Sequence, residues 1–475
     1  MYRWGVQRIL PLVKRYALRF LNERDVEKKQ EKLLREKIKI SSGTTIGKKL
    51  GIRPDSSIEE LPLTSYGFYR NFFENPHEGD FIYPLEDYVK VFTSGSMGKP
   101  KNFLVPKRGM YHNITTTGLS YMFICTHDGE KMTFAIGDTV YNNIPGGSYI
   151  SGVMADMFKD QSNTLVRNVP EKGISFKEKV DYFVKNYRDI DIAYMTVTTL
   201  LDDVYPRIGE PFKLKAFITQ DRAASVLREE IKEVVGTYPK TTYGSTETFL
   251  SGMASIEHPG SFFMDWRGVY CEFIPEGHYV GYEENLILEP PETVTLMEVQ
   301  PGKRYQFVVT PYKNDLNRYI TTDVFECIDI GDSILGMELP IFSFYSRGDK
   351  LVSLHNFTRI SEEELLTVLK EAEIPFVDFT VRVELEGSRE YMTMYLELSS
   401  PMDPEEVHTR LDSGLLKVDK DWRDLSSFMG YTPLKIQLLP KGQFRRYLSR
   451  KVGMPRIERI GMREDRFTEF LKEEA

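Results

Sequence analysis

Between Val91 and Pro106 the run VFTSGSMGKPKNFLVP gathers Thr93, Ser94, Gly95, Ser96, Gly98 and Lys101 in one short turn. Hydroxyls, main-chain N–H groups bared by glycine, and lysine ammonium groups are the materials of a phosphate cradle. Glycine lets the backbone approach an anion, and lysine adds a point charge. A Walker-type loop needs four residues between its glycines, a Ser or Thr after its lysine, and a helix behind it. Here Gly95 and Gly98 are three apart, Pro100 follows Lys99, and Asn102 to Pro106 reads as a strand. The pattern is therefore a hairpin of a different kind, and an ordinary flexible hairpin would carry the same residues without binding anything.

A second cluster, TTYGSTETFLSG, runs from Thr241 to Gly252. Tyr243 offers a flat ring for a base and Gly244 permits close approach. Ser245 and Thr246 bring hydroxyls, with that of Thr246 able to donate to a phosphate oxygen. Glu247 is a hard oxygen ligand suited to Mg2+ shared with phosphates. Further on, Asp323 in NRYITTDVFECID is a carboxylate able to accept from two ribose hydroxyls, and Arg347 in FYSRGDK can donate to the same sugar. Taken singly, a capped turn or a surface ion pair explains each of these residues as well. Their order along the chain is what gives them weight.

These residues must be positioned by a chain of 475 residues, too long for one ordinary domain. Strand-like KLKAFIT, NLILEP and RYQFVVTP mixed with helical AASVLREEIKEVVG predict a large α/β domain with mixed sheets over 1–346. From Arg347 the texture changes. A hairpin-like KLVSLHNFTRI, a helix opened by the capping box Ser361/Glu364, two strands, a helix and a last strand predict a small C-terminal α+β domain over 347–475. The junction falls near Arg347 to Lys350. Hydrophobic residues make up 41% and charged residues 28%, with a net charge of −8, which gives no support for nucleic-acid binding. Residues 1–40 are a basic helical lead-in with twelve Lys/Arg against five Asp/Glu. Contact with a membrane surface is a minor reading of that segment, since Pro11 interrupts it. No apolar run reaches transmembrane or signal-peptide length. Cys125, Cys271 and Cys327 are scattered and unpaired in pattern, so a reducing cytoplasm is expected. His112, His127 and His258 lack metal-ligand spacing.

A hydroxyl-rich phosphate loop, then Tyr-Gly-Ser-Thr-Glu, then an isolated Asp, then Arg at a domain junction resembles the adenylate-forming superfamily. Within it the chain resembles the Gretchen Hagen family of acyl-acid amido synthetases, through VYCEFIP, MEVQPGKRYQFVVTPYKNDLNRYITTDVFE, LVSLHNFTRISEEEL and LLPKGQFRRYL. A second likeness, to phenylacetate–CoA ligases, runs through VYNNIPGGSYISGVMADMFKDQSNTLVRNVP and FITQDRAASVLREEIKEVVGTYPKTTYGSTE. The resemblance implies ATP-dependent activation of a carboxylic acid as an acyl-adenylate, with ATP and Mg2+ required, followed by transfer to an amine such as an amino acid or to CoA; a nucleotide-binding relative without turnover is the competing, non-enzyme alternative. It also implies a small-domain lysine at the α-phosphate, for which Lys441 is the candidate, and an acyl pocket beside Tyr141 and Asn142. The chain departs from the superfamily pattern at Thr219-Gln220-Asp221, at Thr322, where a glycine is usual, and at Asn356, near the place of a glycine lining a thiol tunnel.

Overall fold

The strands of the large unit are apolar on both faces, and that decides their place. RYQFVVTP is buried along nearly its whole length and VYCEFIP along all but its last residue, so each must lie inside a layered structure rather than at its surface. The computed structural model describes residues 2–93, 101–143, 150–162, 165–171, 173–221, 223–281, 285–347, 351–354, 358, 360–449, 457–462 and 464–472. The chain folds as two units, the larger on Met1–Thr93 with Asn102–Asp349 and the smaller on Ser94–Lys101 with Lys350–Ala475.

The large unit begins with helix α1 (Tyr2–Leu18), which contains Pro11. Its end is fastened by Ala17, whose carbonyl accepts from Ser120 Oγ at 2.8 Å, while the Arg267 guanidinium lies 3.7 Å from the Phe20 ring centroid. Strands β1 (Tyr88–Thr93) and β2 (Lys101–Pro106), which flank the glycine-rich run in sequence, pair as a two-stranded sheet. Then comes a five-stranded parallel sheet of β3 (Thr139–Asn142), β4 (Arg167–Val169), β5 (Ile192–Tyr194), β6 (Ala216–Thr219) and β7 (Pro239–Thr241) in the order β4-β3-β5-β6-β7. Alternate residues of its strands fall into different core clusters, Val140, Ile192 and Ile218 into one and Tyr141, Ala193 and Phe217 into the other.

The third sheet is antiparallel along its main path. It contains β8 (Tyr243–Ser245), β9 (Phe249–Ala254), β10 (Phe262–Met264), β11 (Val269–Pro275), β12 (Arg304–Pro311), β13 (Tyr319–Asp332) and β14 (Met337–Arg347). Their order is β11-β12-β13-β14-β10-β9-β8, with two-residue strands along one side. A buried ion pair braces it: Arg318, 2% exposed, donates to both oxygens of Glu272 and to the Leu61 carbonyl.

In the small unit, β15 (Phe376–Glu386), β16 (Arg389–Leu398) and β17 (Leu434–Leu438) form a sheet with β16 in the middle, antiparallel to β15 and parallel to β17. The Ser361/Glu364 capping box is present in both directions. Two sequence expectations change. The leading hairpin of this domain is a single Val352–Ile360 bridge among the described residues. A second helix, α2 (Lys420–Met429), follows Pro404–Val418, because Asp419 ends one helix and caps the next by accepting from the Asp421 N–H at 2.9 Å.

Candidate active site

In the curled sheet, Asp323 on β13 and Arg347 at the end of β14 are directly opposed residues of an antiparallel pair. The register places the two residues expected to hold one sugar side by side. Asp323 lies within a continuous strand rather than between two, and is 6% exposed.

Tyr243 stands on β8, four strand-to-strand steps from β13 along the sheet path. Four steps in a flat sheet span about 19 Å, yet the Tyr243 hydroxyl donates to Asp323 Oδ2 at 2.7 Å. The sheet therefore curls until β8 faces β13. Phenylalanines fill the interior of the curl: the Tyr243 ring stacks on Phe262 at 5.5 Å and 13°, and meets Phe325 and Phe307 edge-on. Two glycines make room. A Cβ on Gly252, which pairs with Tyr243, would lie 2.6 Å from Tyr243 Cβ and 2.8 Å from the Phe262 ring. A Cβ on Gly244 would lie 2.6 Å from the Phe249 carbonyl.

Between β8 and β9 the chain turns through Thr246, Glu247 and Thr248, with Phe249 at φ 57°, a left-handed conformation that costs a non-glycine residue about 1 kcal/mol or more. The turn is tied by Ser245 Oγ, which lies 3.1 Å from Thr248 Oγ1 and accepts from the Thr248 N–H at 3.2 Å. From outside, Asn314 Nδ2 donates to the Glu247 carbonyl at 3.3 Å. Thr246 is buried and Glu247 partly exposed. Among the described residues no group of three or more His, Cys, Asp or Glu could hold a metal alone.

The parallel sheet supplies a second feature. Its order changes direction at β3, from which the chain first moves out to β4 and then returns to β5, so the carboxyl ends of β3 and β5 flank a topological switch point, where open α/β sheets bind ligands. Asn142 pairs there with Tyr194. Tyr141 is fully buried, edge-on to Phe183 at 4.8 Å, and its hydroxyl donates to Asn143 Oδ1 at 3.2 Å. Asn143, 2% exposed, has an Nδ2 with no hydrogen-bond partner among the described residues. Beyond β6, Asp221 accepts from the Val197 N–H at 2.5 Å. Burial, and next Asp221, raises the Tyr194 hydroxyl well above its ordinary pKa.

Lys101 opens β2 and is partly buried, while Thr93 closes β1. Ser94, Gly95, Ser96 and Gly98 lie outside the described residues. Lys441 is exposed on the turn after β17 in the small unit. Of the expected residues, the structure thus joins Tyr243, Asp323 and Arg347 in one sheet, with Gly244 to Glu247 on its adjoining hairpin. Asn143, Asp221 and Gly252 were missed. Gly252 closes the quoted TTYGSTETFLSG run, but its pairing with Tyr243 is visible only in the fold.

The fold is similar to those of a solved acyl acid amido synthetase and a solved CoA ligase. The AtGH3.15 acyl acid amido synthetase in complex with 2,4-DB has a TM-score of 0.55 at 15% identity, covering 96% of this chain and 95% of that one. A 2-hydroxyisobutyryl-CoA ligase in complex with 2-HIB-AMP and CoA has a TM-score of 0.59 at 14% identity, covering 88% and 87%. No curated protein sequence matches the chain. More particularly, residues 262–347 match the GH3 family central domain, the stretch from β10 to β14 that carries Asp323 and Arg347.

Proposed function

We propose that this protein is an ATP-dependent acid ligase that makes an acyl-adenylate and passes the acyl group to an amine such as an amino acid. The observation that carries the reading is the opposed Asp323/Arg347 pair, joined by Tyr243, inside the segment that matches the GH3 family central domain. A carboxylate oxygen of the acid attacks the α-phosphorus of ATP, the bond from that phosphorus to the bridging oxygen breaks, and pyrophosphate leaves. Such a transfer needs positioning and charge stabilisation and no protein nucleophile.

In this reading Thr93, Ser94, Ser96, Lys101 and Thr246 hold phosphate oxygens, with Gly95 and Gly98 letting the main chain approach. Asp323 and Arg347 hold the ribose, and Tyr243 lies against the adenine while fixing the Asp323 carboxylate. Lys441 is the small unit's cation for the α-phosphate. Magnesium would neutralise phosphate charge, with Glu247 as its protein ligand. The acid occupies the switch point beside Tyr141 and Asn142, where the Asn143 amide supplies a buried donor in need of an acceptor.

A CoA acceptor is the second reading, favoured by the TM-score of the CoA ligase. The family-model match and the longer coverage by the amido synthetase support the amine. Acid-dependent ATP–pyrophosphate exchange over a panel of acids tests activation. A working acid is then supplied with ATP and equimolar mixed amino acids and CoA, and the products are identified by mass. Amide products are expected, and acyl-CoA alone would overturn the amine.

A further inference from the structure

In the small unit, one buried carboxylate is devoted entirely to the turn that carries Lys441. Glu397, on the central strand β16, is 2% exposed. Its Oε1 accepts from the Gly442 N–H at 2.6 Å and its Oε2 from the Phe444 N–H at 3.0 Å. Burying a charge in a sheet is costly unless it is fully hydrogen-bonded, and Tyr395, on the same face of the strand, packs against the apolar cluster of Phe444, Phe467 and Phe470. The partners Glu397 has are main-chain donors one and three residues after Lys441. What the carboxylate fixes is therefore the path of the backbone at that lysine.

The remaining contacts hold the same turn. Arg446 donates to the Lys441 carbonyl at 3.0 Å and to Gln443 Oε1 at 2.7 Å, and Gln443 Nε2 donates to the Phe470 carbonyl. Gly442 takes φ +85°, a left-handed conformation that favours glycine. The Lys441 main chain is thus gripped from both sides while its side chain stays exposed.

We propose that Glu397 is a positioning residue for adenylation, acting through Lys441. The inference rests on the acid-activation reading above and adds a residue to it. Glu397→Gln replaces one acceptor by an NH2 facing an N–H donor. Glu397→Asp keeps the charge and withdraws the carboxylate, so the two variants break the grip by different means. A misplacement of about 1 Å at a reacting group can cost about a hundredfold.

The experiment measures acid-dependent ATP–pyrophosphate exchange for the parent, E397Q, E397D, K441A and the double variant E397Q/K441A, with melting temperatures as a control for folding. Each Glu397 variant should lower the maximal exchange rate by about 10²-fold. K441A should lower it by about 10² to 10³-fold. The double variant should be no slower than K441A, because a residue that works through the lysine has nothing left to act on. A purely structural Glu397 would instead multiply its loss onto that of K441A, and that result overturns the proposal. Parental exchange in both folded Glu397 variants, or in K441A, overturns it too while leaving acid activation standing. A parent that exchanges with no acid would instead retire the acid-activation reading itself.

Discussion

Replacing Tyr243 by phenylalanine removes one oxygen from the centre of the candidate site and leaves the ring. That oxygen donates to Asp323 Oδ2 at 2.7 Å, between residues that are 7% and 6% exposed. A hydrogen bond to a charged group contributes about 1.5–3 kcal/mol. The ring's stack on Phe262 and its edge contacts with Phe325 and Phe307 remain, so packing adds little. Urea unfolding of the variant should therefore show a loss of about 1.5–3 kcal/mol. If Asp323 orients the ribose, its released carboxylate should also raise KM for ATP in the exchange assay. About tenfold is expected, equal to about 1.4 kcal/mol, with a smaller change in kcat. Unchanged stability would mean that the contact carries no energy. Lost stability with an unchanged KM would refute the ribose assignment, because Asp323 would then be bracing the sheet alone.

Lys101→Ala should reduce acid-dependent exchange about a hundredfold or more, as expected for loss of one preorganised charged donor; exchange at the parental rate would remove the β1–β2 hairpin from the chemistry. Glu247→Gln keeps the shape of the turn and weakens a hard ligand, so a magnesium titration of exchange should shift to higher concentration while the melting temperature holds; an unshifted titration would make Glu247 a turn residue only. Burial pushes the Asp419 carboxyl from 3.8 up to about 6, so its favourable neutral form is fully present below about pH 4 and lost as pH rises through about 6. Asp419→Asn keeps a side-chain oxygen to cap α2 and should stabilise the small unit at pH 7 by about 1–2 kcal/mol, allowing for partial exposure, with no gain at pH 4; an equal shift at both pH values in melting experiments would refute the cause.

The elements that were legible in the sequence are those whose signal is local. Ser361 and Glu364 make their reciprocal cap within one turn of chain, and Lys101 to Pro106 is a strand because its apolar residues and the turn before it say so. Helical segments were legible, but not the single residues that interrupt them. AASVLREEIKEVVG reads as one helix, but Ala223–Val226 and Arg228–Val235 are separate, with Leu227 outside helical geometry between them. Asp419 likewise divides two helices, since an aspartate that can cap is a poor interior residue.

The site divides along the same line, with consequences for how it works. The hydroxyls and carboxylate of Gly-Ser-Thr-Glu are adjacent in sequence and needed no fold to be noticed. That Tyr243 reaches Asp323, 80 residues away, depends on a sheet curling through four strand pairings, and no periodicity in the chain encodes that closure. The curl rests on side chains without chemistry of their own: Gly252, whose missing Cβ lets Tyr243 settle against Phe262, and the phenylalanines of β12 and β13 that fill the interior. A donor aimed at developing charge is effective only if it does not have to move there during the reaction. In the proposed reaction the buried Glu397 carboxylate would give that rigidity to the Lys441 turn, while the aromatic interior of the curl would hold Asp323 in place as an acceptor for the ribose. Both devices are long-range contacts between a buried carboxylate and a partner far along the chain, and for that reason both had to be found in the structure.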